Sequence, residues 1–573
     1  MEVLQKIILL EGEPREVTFR GEDLKAITIK QCPSDVQIVS NPEKTNGVWR
    51  LVLKASKRRL SYQSIHFEIS EGNRIYDVEI PTRIFCRNEF FLCVVTTSNF
   101  HWGYRPEKTT PVWAGDPLIY HGHGYRWSKY MAEGAHRFEI PMTWLIDGEV
   151  AKTGAPEITK WHYRYGDDVG VLPTSYFHHN AINYNTDRDI SDAQKVLEAT
   201  LESLAMAFSQ EGFFFRPQVG GVDQWIGGVG SQWIEVIRCA GLRSVWGMCF
   251  DHETCDTSMY HEGCPWDAYR MRPSNFRYPT TDKQAIWGLP WTSRDLVNSL
   301  LEYPGASTSY STDPDDIKYC GILDHQEDYW NRIIESQFQN RDACSANCFI
   351  VHNEDHDAHR EFAQQYLINF YRSLNPDIVP STLEEVTQWL DLKFDQDRHP
   401  YQLMQMEDPI TCHDAVVDYR NRGERGGLTF TPPDTWKSVD GHNPSVACYY
   451  DESCRWAARE GERTPFQYIN YTSDTHFEET GCSSKEELPA ISEFSESIEK
   501  QGDEFVLRIE FIASVSFSQL PMIWWDRPLL DTELKTRGLR VELCDVTKGW
   551  NSRTLRMAQE QDASERVSKT AVV

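Results

Sequence analysis

From residue 90 to residue 355 the chain repeats one pattern, a short apolar run followed by a longer stretch with helical spacing. Seven runs read as strands: FFLCVVTT (90–97), RFEIPMTWL (137–145), DVGVLP (168–173), FFFRPQ (213–218), LRSVWGMCF (242–250), AIWGLPW (285–291) and CFIVHNED (348–355). Strands apolar on both faces and separated by helices build a parallel sheet covered by those helices, so an α/β core is predicted. The clearest helix is 191–210. Ser191 is placed to cap it, and Val196, Leu197, Leu201, Leu204 and Phe208 recur at helical spacing. Residues 231–241 and 357–374 read as two more helices.

The flanks follow another rhythm. Before residue 89, short alternating segments such as REVTFRG, VWRLVLKAS and IYDVEIPTR are separated by Gly, Asn, Pro and Ser turns; after about 430, β character returns in EFVLRIEFIASVSF and LRVELCDVT. The predicted architecture is therefore an incomplete (β/α)7 barrel over 89–429. An immunoglobulin-like β-sandwich over 1–88 and a C-terminal β-sandwich with a frayed tail over 430–573 flank it. A chain of 573 residues exceeds what one core supports, which agrees with several domains.

A formal net charge of -28 repels phosphate backbones and anionic lipid, so neither nucleic acid nor a membrane surface is an expected partner. A carbohydrate or other small neutral substrate is not penalised, and 19 tryptophans offer faces on which sugar rings stack. Trp144, Trp225 and Trp291, with Arg294, are the candidate substrate contacts. The start has a short apolar run followed by acidic residues and no small-residue cleavage site, and no stretch approaches the ~18 apolar residues of a membrane span. Fifteen cysteines scattered along the chain read as reduced thiols, so the cytoplasm is the expected location.

Chemistry-bearing residues follow the predicted strands. His101 comes after the first, Asp147 after the second, His178 and His179 after the third, and Arg216 at the end of the fourth. Asp251 follows the fifth, Arg294 the sixth, and His352 and Glu354 end the seventh. In a barrel these positions ring one mouth, where acids, bases and metal ligands from distant sequence meet. Each also has a plainer role: Arg216 as a structural ion-pair partner, any single histidine as a hydrogen-bonded core or surface residue. The stretch CFDHETCDTSMYHEGC has zinc-ligand residue types but no tight C-x-x-C pair. The Gly-rich GGVDQWIGGVG lacks the Lys-Ser/Thr of a phosphate loop, and no G-x-S-x-G elbow occurs.

Three stretches, FRPQVGG, AGLRSVWGMCFD and FIVHNED, occur in the order found in the polysaccharide deacetylases, whose incomplete barrel some glycoside hydrolases share. The chain resembles that superfamily over about 89–400. The resemblance implies Arg216 as the arginine of the Arg-Pro segment, Asp251 as the strand-ending aspartate and His352 as general acid. It also implies one divalent metal, zinc foremost, for which His101, His178 and His179 are the candidate ligands. VVTTSNF supplies no carboxylate where the family carries Thr-Phe-Asp-Asp, so two mechanisms stay open. In one, metal-activated water attacks an acyl or amide carbon and His352 protonates the leaving group. In the other, Asp251 and Glu354 flank a glycosidic bond. A non-catalytic glycan- or partner-binding barrel is the third reading.

Overall fold

A computed structural model of the chain describes residues 3–98 apart from 22, then 124–172, 187–221, 230–248 and 268–290 apart from 274, and 347–394 apart from 354–360. It also describes single residues within 328–338, short pieces at 402–404 and 468–470, and most of 491–558 between 501 and 504 and between 525 and 538 excepted.

The amino-terminal segment supplies seven strands: β1 (Ile7–Leu10), β2 (Pro14–Phe19), β3 (Leu24–Gln31), β4 (Val36–Thr45), β5 (Val48–Ala55), β6 (Arg59–Glu71) and β7 (Arg74–Phe85). They form one sheet ordered β1-β7-β6-β3 and another ordered β2-β5-β4. Alternation of apolar and polar residues leaves one face of each strand to bury, and Ile7, Leu9, Val17, Phe19, Leu53 and Phe67 belong to a single core that both sheets share.

The central sheet uses β8 (Phe91–Ser98), β9 (Met142–Ile146), β10 (Asp168–Val171), β11 (Val219–Gly221), β12 (Ser244–Met248), β15 (Trp287–Pro290) and β16 (Cys348–Asn353). These seven run parallel in the order β16-β8-β9-β10-β11-β12-β15. A short β17 (Val379–Ser381) also lies parallel to β8. An antiparallel hairpin, β13 (Tyr269–Arg272) and β14 (Asn275–Pro279), extends the β15 end. Its Arg272 Nη1 donates to the Ser518 carbonyl at 2.5 Å, tying the hairpin to the carboxyl-terminal strands. Those strands form one sheet that pairs Gln402–Met404, Gly538–Val546, Phe517–Trp525 and Tyr468–Asn470, and another that pairs Ile491–Gln501, Glu504–Ala513 and Gly549–Ala558.

Helices α1 (Gly124–His136), α2 (Gly148–Tyr165), α3 (Asp187–Ser209), α4 (Gly230–Cys239), α5 (Glu361–Arg372) and α6 (Leu383–Lys393) accompany this sheet. In α3, Leu197, Leu201, Leu204 and Phe208 are buried as their spacing requires. The helix begins at Asp187, a turn before the expected cap, so Ser191 lies inside it.

The sheet is rolled. The rings of Trp246 in β12 and His352 in β16 have centroids 4.9 Å apart, although five strand-to-strand steps separate them in the sheet order. Flat strands five steps apart would lie about 24 Å from each other at the usual spacing. The sheet is therefore part of a barrel, and no pairing joins β15 to β16 among the described residues.

The fourth expected strand is corrected. Phe213–Gln218 forms no strand, and the ladder to β10 and β12 is made by Val219–Gly221. The phenylalanines are spent on packing instead. Phe213 and Phe215 are buried against each other and against Phe208 of α3, and Phe213 stacks on His162 of α2 at 4.3 Å.

Candidate functional site

One end of the rolled sheet is sealed. The strands start there, and α6 lies across them. Ser381, Thr382 and Glu385 open α6 as a capping box, with the Thr382 side chain on the Glu385 amide and the Glu385 carboxylate on the Thr382 amide. The Leu383 amide donates to Thr143 Oγ1 of β9 at 2.9 Å, Thr387 Oγ1 donates to Ser244 Oγ of β12 at 2.7 Å, and Trp389 meets Phe91 of β8 edge-on. At the same end Lys6, just before β1, enters the floor. Its ammonium lies 3.1 Å from Asp168 and 3.4 Å from Glu385, and it donates to the Gly166 carbonyl. Arg83 of β7 reaches Glu385 at 3.0 Å.

These charges are buried and balance one another. Burial pulls Lys6 down, but Asp168 and Glu385 outweigh it and hold the ammonium above its ordinary value. Burial pushes Glu385 up, but Lys6 and Arg83 outweigh it and keep the carboxylate ionised. Burial, then the Asp168 charge, raises Glu384 well above the ordinary carboxylate range, and its carboxyl accepts from Gln5 Nε2 at 2.6 Å. Such a floor fixes the amino-terminal sheets to the half-barrel.

The strands end at the opposite mouth, and there the described side chains include His352. It is 1% exposed, and its Nε2 shares a 3.0 Å hydrogen bond with Thr97 Oγ1 of β8. Trp246 walls it from across the interior. Register explains the meeting: His352 lies opposite Val95, and Thr97 follows two residues on, so both face inward. Around them the interior is packed with Leu145 and Leu172. A Cβ added to Gly221 would lie 2.9 Å from Leu172 and 3.0 Å from Leu145.

Of the predicted residues, His352 is where the strand pattern put it. Two others are corrected. Arg216 precedes β11 instead of ending a strand, and its guanidinium Nε donates at 3.1 Å to the Ala240 carbonyl at the end of α4. It is therefore on the side where strands begin, holding a helix terminus. Trp144 faces the helices, not the interior. It stacks on Trp161, packs beside Tyr125, and donates from its indole to Asp167 at 2.8 Å. It is a core residue without a face for sugar. Asp147 accepts the Val150 amide at 2.8 Å and so caps α2.

Asp251, Glu354, Trp225, Trp291, Arg294, His101, His178 and His179 lie outside the described residues. Among the described residues no three His, Cys, Asp or Glu side chains stand together as a metal site requires. Thr97 and Trp246 were not singled out from sequence. Their signal was present but weak: a hydroxyl at the end of the first strand, and a tryptophan in the middle of the fifth.

No protein-family model matches the chain, and no curated protein matches it. Among solved structures it is similar to a PuuE allantoinase at 12% identity, covering 54% of this chain and 92% of that one, with a TM-score of 0.34. A putative polysaccharide deacetylase from Mycobacterium smegmatis is 12% identical, over 53% of this chain and 91% of that one, with a TM-score of 0.30. A CE4 family pseudoenzyme from Bacillus anthracis is 9% identical, over 31% of this chain and 54% of that one, with a TM-score of 0.19. No helix among the described residues is long and apolar enough to cross a membrane.

Proposed function

We propose that the chain is a hydrolase of the deacetylase-like kind, acting on an acylated glycan or amino sugar at the carboxyl mouth of a (β/α)7 barrel held between two β-sandwich domains. The observation that carries this reading is the placement of His352. It stands at the end of a parallel strand, buried, tied to Thr97 and backed by Trp246, in a half-barrel whose other end is closed. His352 is assigned the proton transfer. The protonated ring gives its Nε2 proton to the leaving oxygen or nitrogen. Asp251 and Glu354 follow the strands of Trp246 and His352 and are proposed to share this mouth. If a divalent metal acts, His101, His178 and His179 are its proposed ligands.

The test is release of acetate from a panel of acetylated oligosaccharides by purified protein. His352→Gln should keep the melting temperature and lower turnover by about 10²–10⁴-fold. A folded variant with full turnover removes His352 from the chemistry, and no release from any glycan by the native protein sinks the deacetylase reading.

A further inference from the structure

β7 has one edge that is only partly used. Along Arg74–Ile84 it pairs with β6, but on its other side β1 pairs with it from Thr82 to Phe85 alone. The chain before β1 leaves this edge because it is drawn to the half-barrel floor. Gln5 exchanges two hydrogen bonds with the Val169 backbone, at 2.8 and 2.9 Å, and Lys6 is held by the buried carboxylates. Among the described residues the edge from Ile75 to Pro81 thus has no strand partner on that side.

A cavity of about 220 Å³ opens along this edge. Val3, Tyr163, Phe213 and Phe214 give it an apolar wall, while Asp77 and Glu79 stand at its rim. Asp77 and Glu79 are exposed, and neither has an ion-pair partner among the described residues. Two places back on the same face, Ile75 is 68% exposed. Unpaired acidic residues on an edge repel an acidic strand and attract a basic one. The same edge offers backbone donors and acceptors, and the aromatic wall accepts alternate side chains.

We propose that this edge of β7 binds an extended basic peptide segment of a partner protein as an added strand, its apolar side chains entering the cavity and its lysines or arginines facing Asp77 and Glu79. The site is on the amino-terminal sheets, apart from the His352 mouth, and does not depend on what that mouth does.

The test uses the full chain and a short fluorescent peptide alternating lysine with valine, read by anisotropy. Saturable binding is expected, weakened by added salt and by about tenfold or more in Asp77→Lys/Glu79→Lys, whose exposed positions leave the melting temperature unchanged. A copy of the peptide with N-methylated backbone should not bind, because it cannot join the ladder. Equal binding of the N-methylated peptide would mean that the cavity takes only a cation and would overturn strand addition. Absence of binding, or binding indifferent to the double variant, overturns the proposal as well. Self-association of the native chain that the double variant abolishes would assign the edge to a second copy instead.

Discussion

His162 makes stability depend on pH in a way that can be calculated. It is wholly buried in α2, its Nδ1–H donates to the Asp167 carbonyl at 2.6 Å, and its ring lies on Phe213. Nε2 has no hydrogen-bond partner among the described residues. Burial, then the nearby Lys6 charge, lowers its pKa from 6.5 to about 3. A proton is therefore taken up by the unfolded chain well before the folded one. Stability from this group is complete above the unfolded value and is lost as pH falls from there toward the folded value. Between about pH 8 and pH 5 the loss is ~2 kcal/mol, and it approaches ~5 kcal/mol in stronger acid. Asp168 works in the opposite sense. Burial raises it to about 6, so its protonation favours the folded state over part of the same range. The raw profile mixes both, and the informative quantity is a difference. His162→Phe keeps the stacking ring, loses one hydrogen bond at every pH, and removes the titration. Urea unfolding at several pH values should show the native protein losing ~2 kcal/mol more than the variant between about pH 8 and pH 5. Parallel losses in the two proteins would refute the assignment of a neutral, buried His162.

Further outcomes follow from the same geometry. Lys6→Met leaves Asp168 and Glu385 without their shared cation and should cost ~3–5 kcal/mol by chemical denaturation, since an uncompensated buried charge remains. Asp167→Ala strips the acceptor from His136, the Trp144 indole and the Met142 amide, and a loss of at least ~3 kcal/mol is expected in the same assay. Gly170→Ala places a methyl 2.5 Å from Leu145 and 2.8 Å from the Val219 carbonyl, so a lower melting temperature and ~1–3 kcal/mol of destabilisation should appear. Thr97→Val removes the Nε2 partner of His352 while keeping its shape. Turnover should fall by about tenfold with the fold intact, and an unchanged rate would separate Thr97 from the chemistry.

The features legible in the amino-acid pattern are local ones. Apolar runs placed β8, β10, β12, β15 and β16 within about two residues of their observed bounds, and β9 with a start about five residues early, because a strand buried on both faces must be apolar throughout. Helical spacing placed α3, α4 and α5 for the same kind of reason. It also put His352 at a strand end, since the apolar run CFIV stops there. The FFFRPQ run misled because burial and strand pairing leave the same apolar signature: the phenylalanines pack on α2 and α3, and the ladder starts after Pro217. Arg216 then faces a helix end, and Trp144, on the outward side of β9, faces helices. Which side of a strand a residue takes depends on register, and one step of register reverses it. The closed floor was equally invisible. Lys6, Arg83, Asp168 and Glu385 are far apart in the chain, and each alone reads as a surface charge. Only the rolling of the sheet, with α6 drawn across its starting end, brings them into contact and excludes water, and that makes their pairing both possible and obligatory.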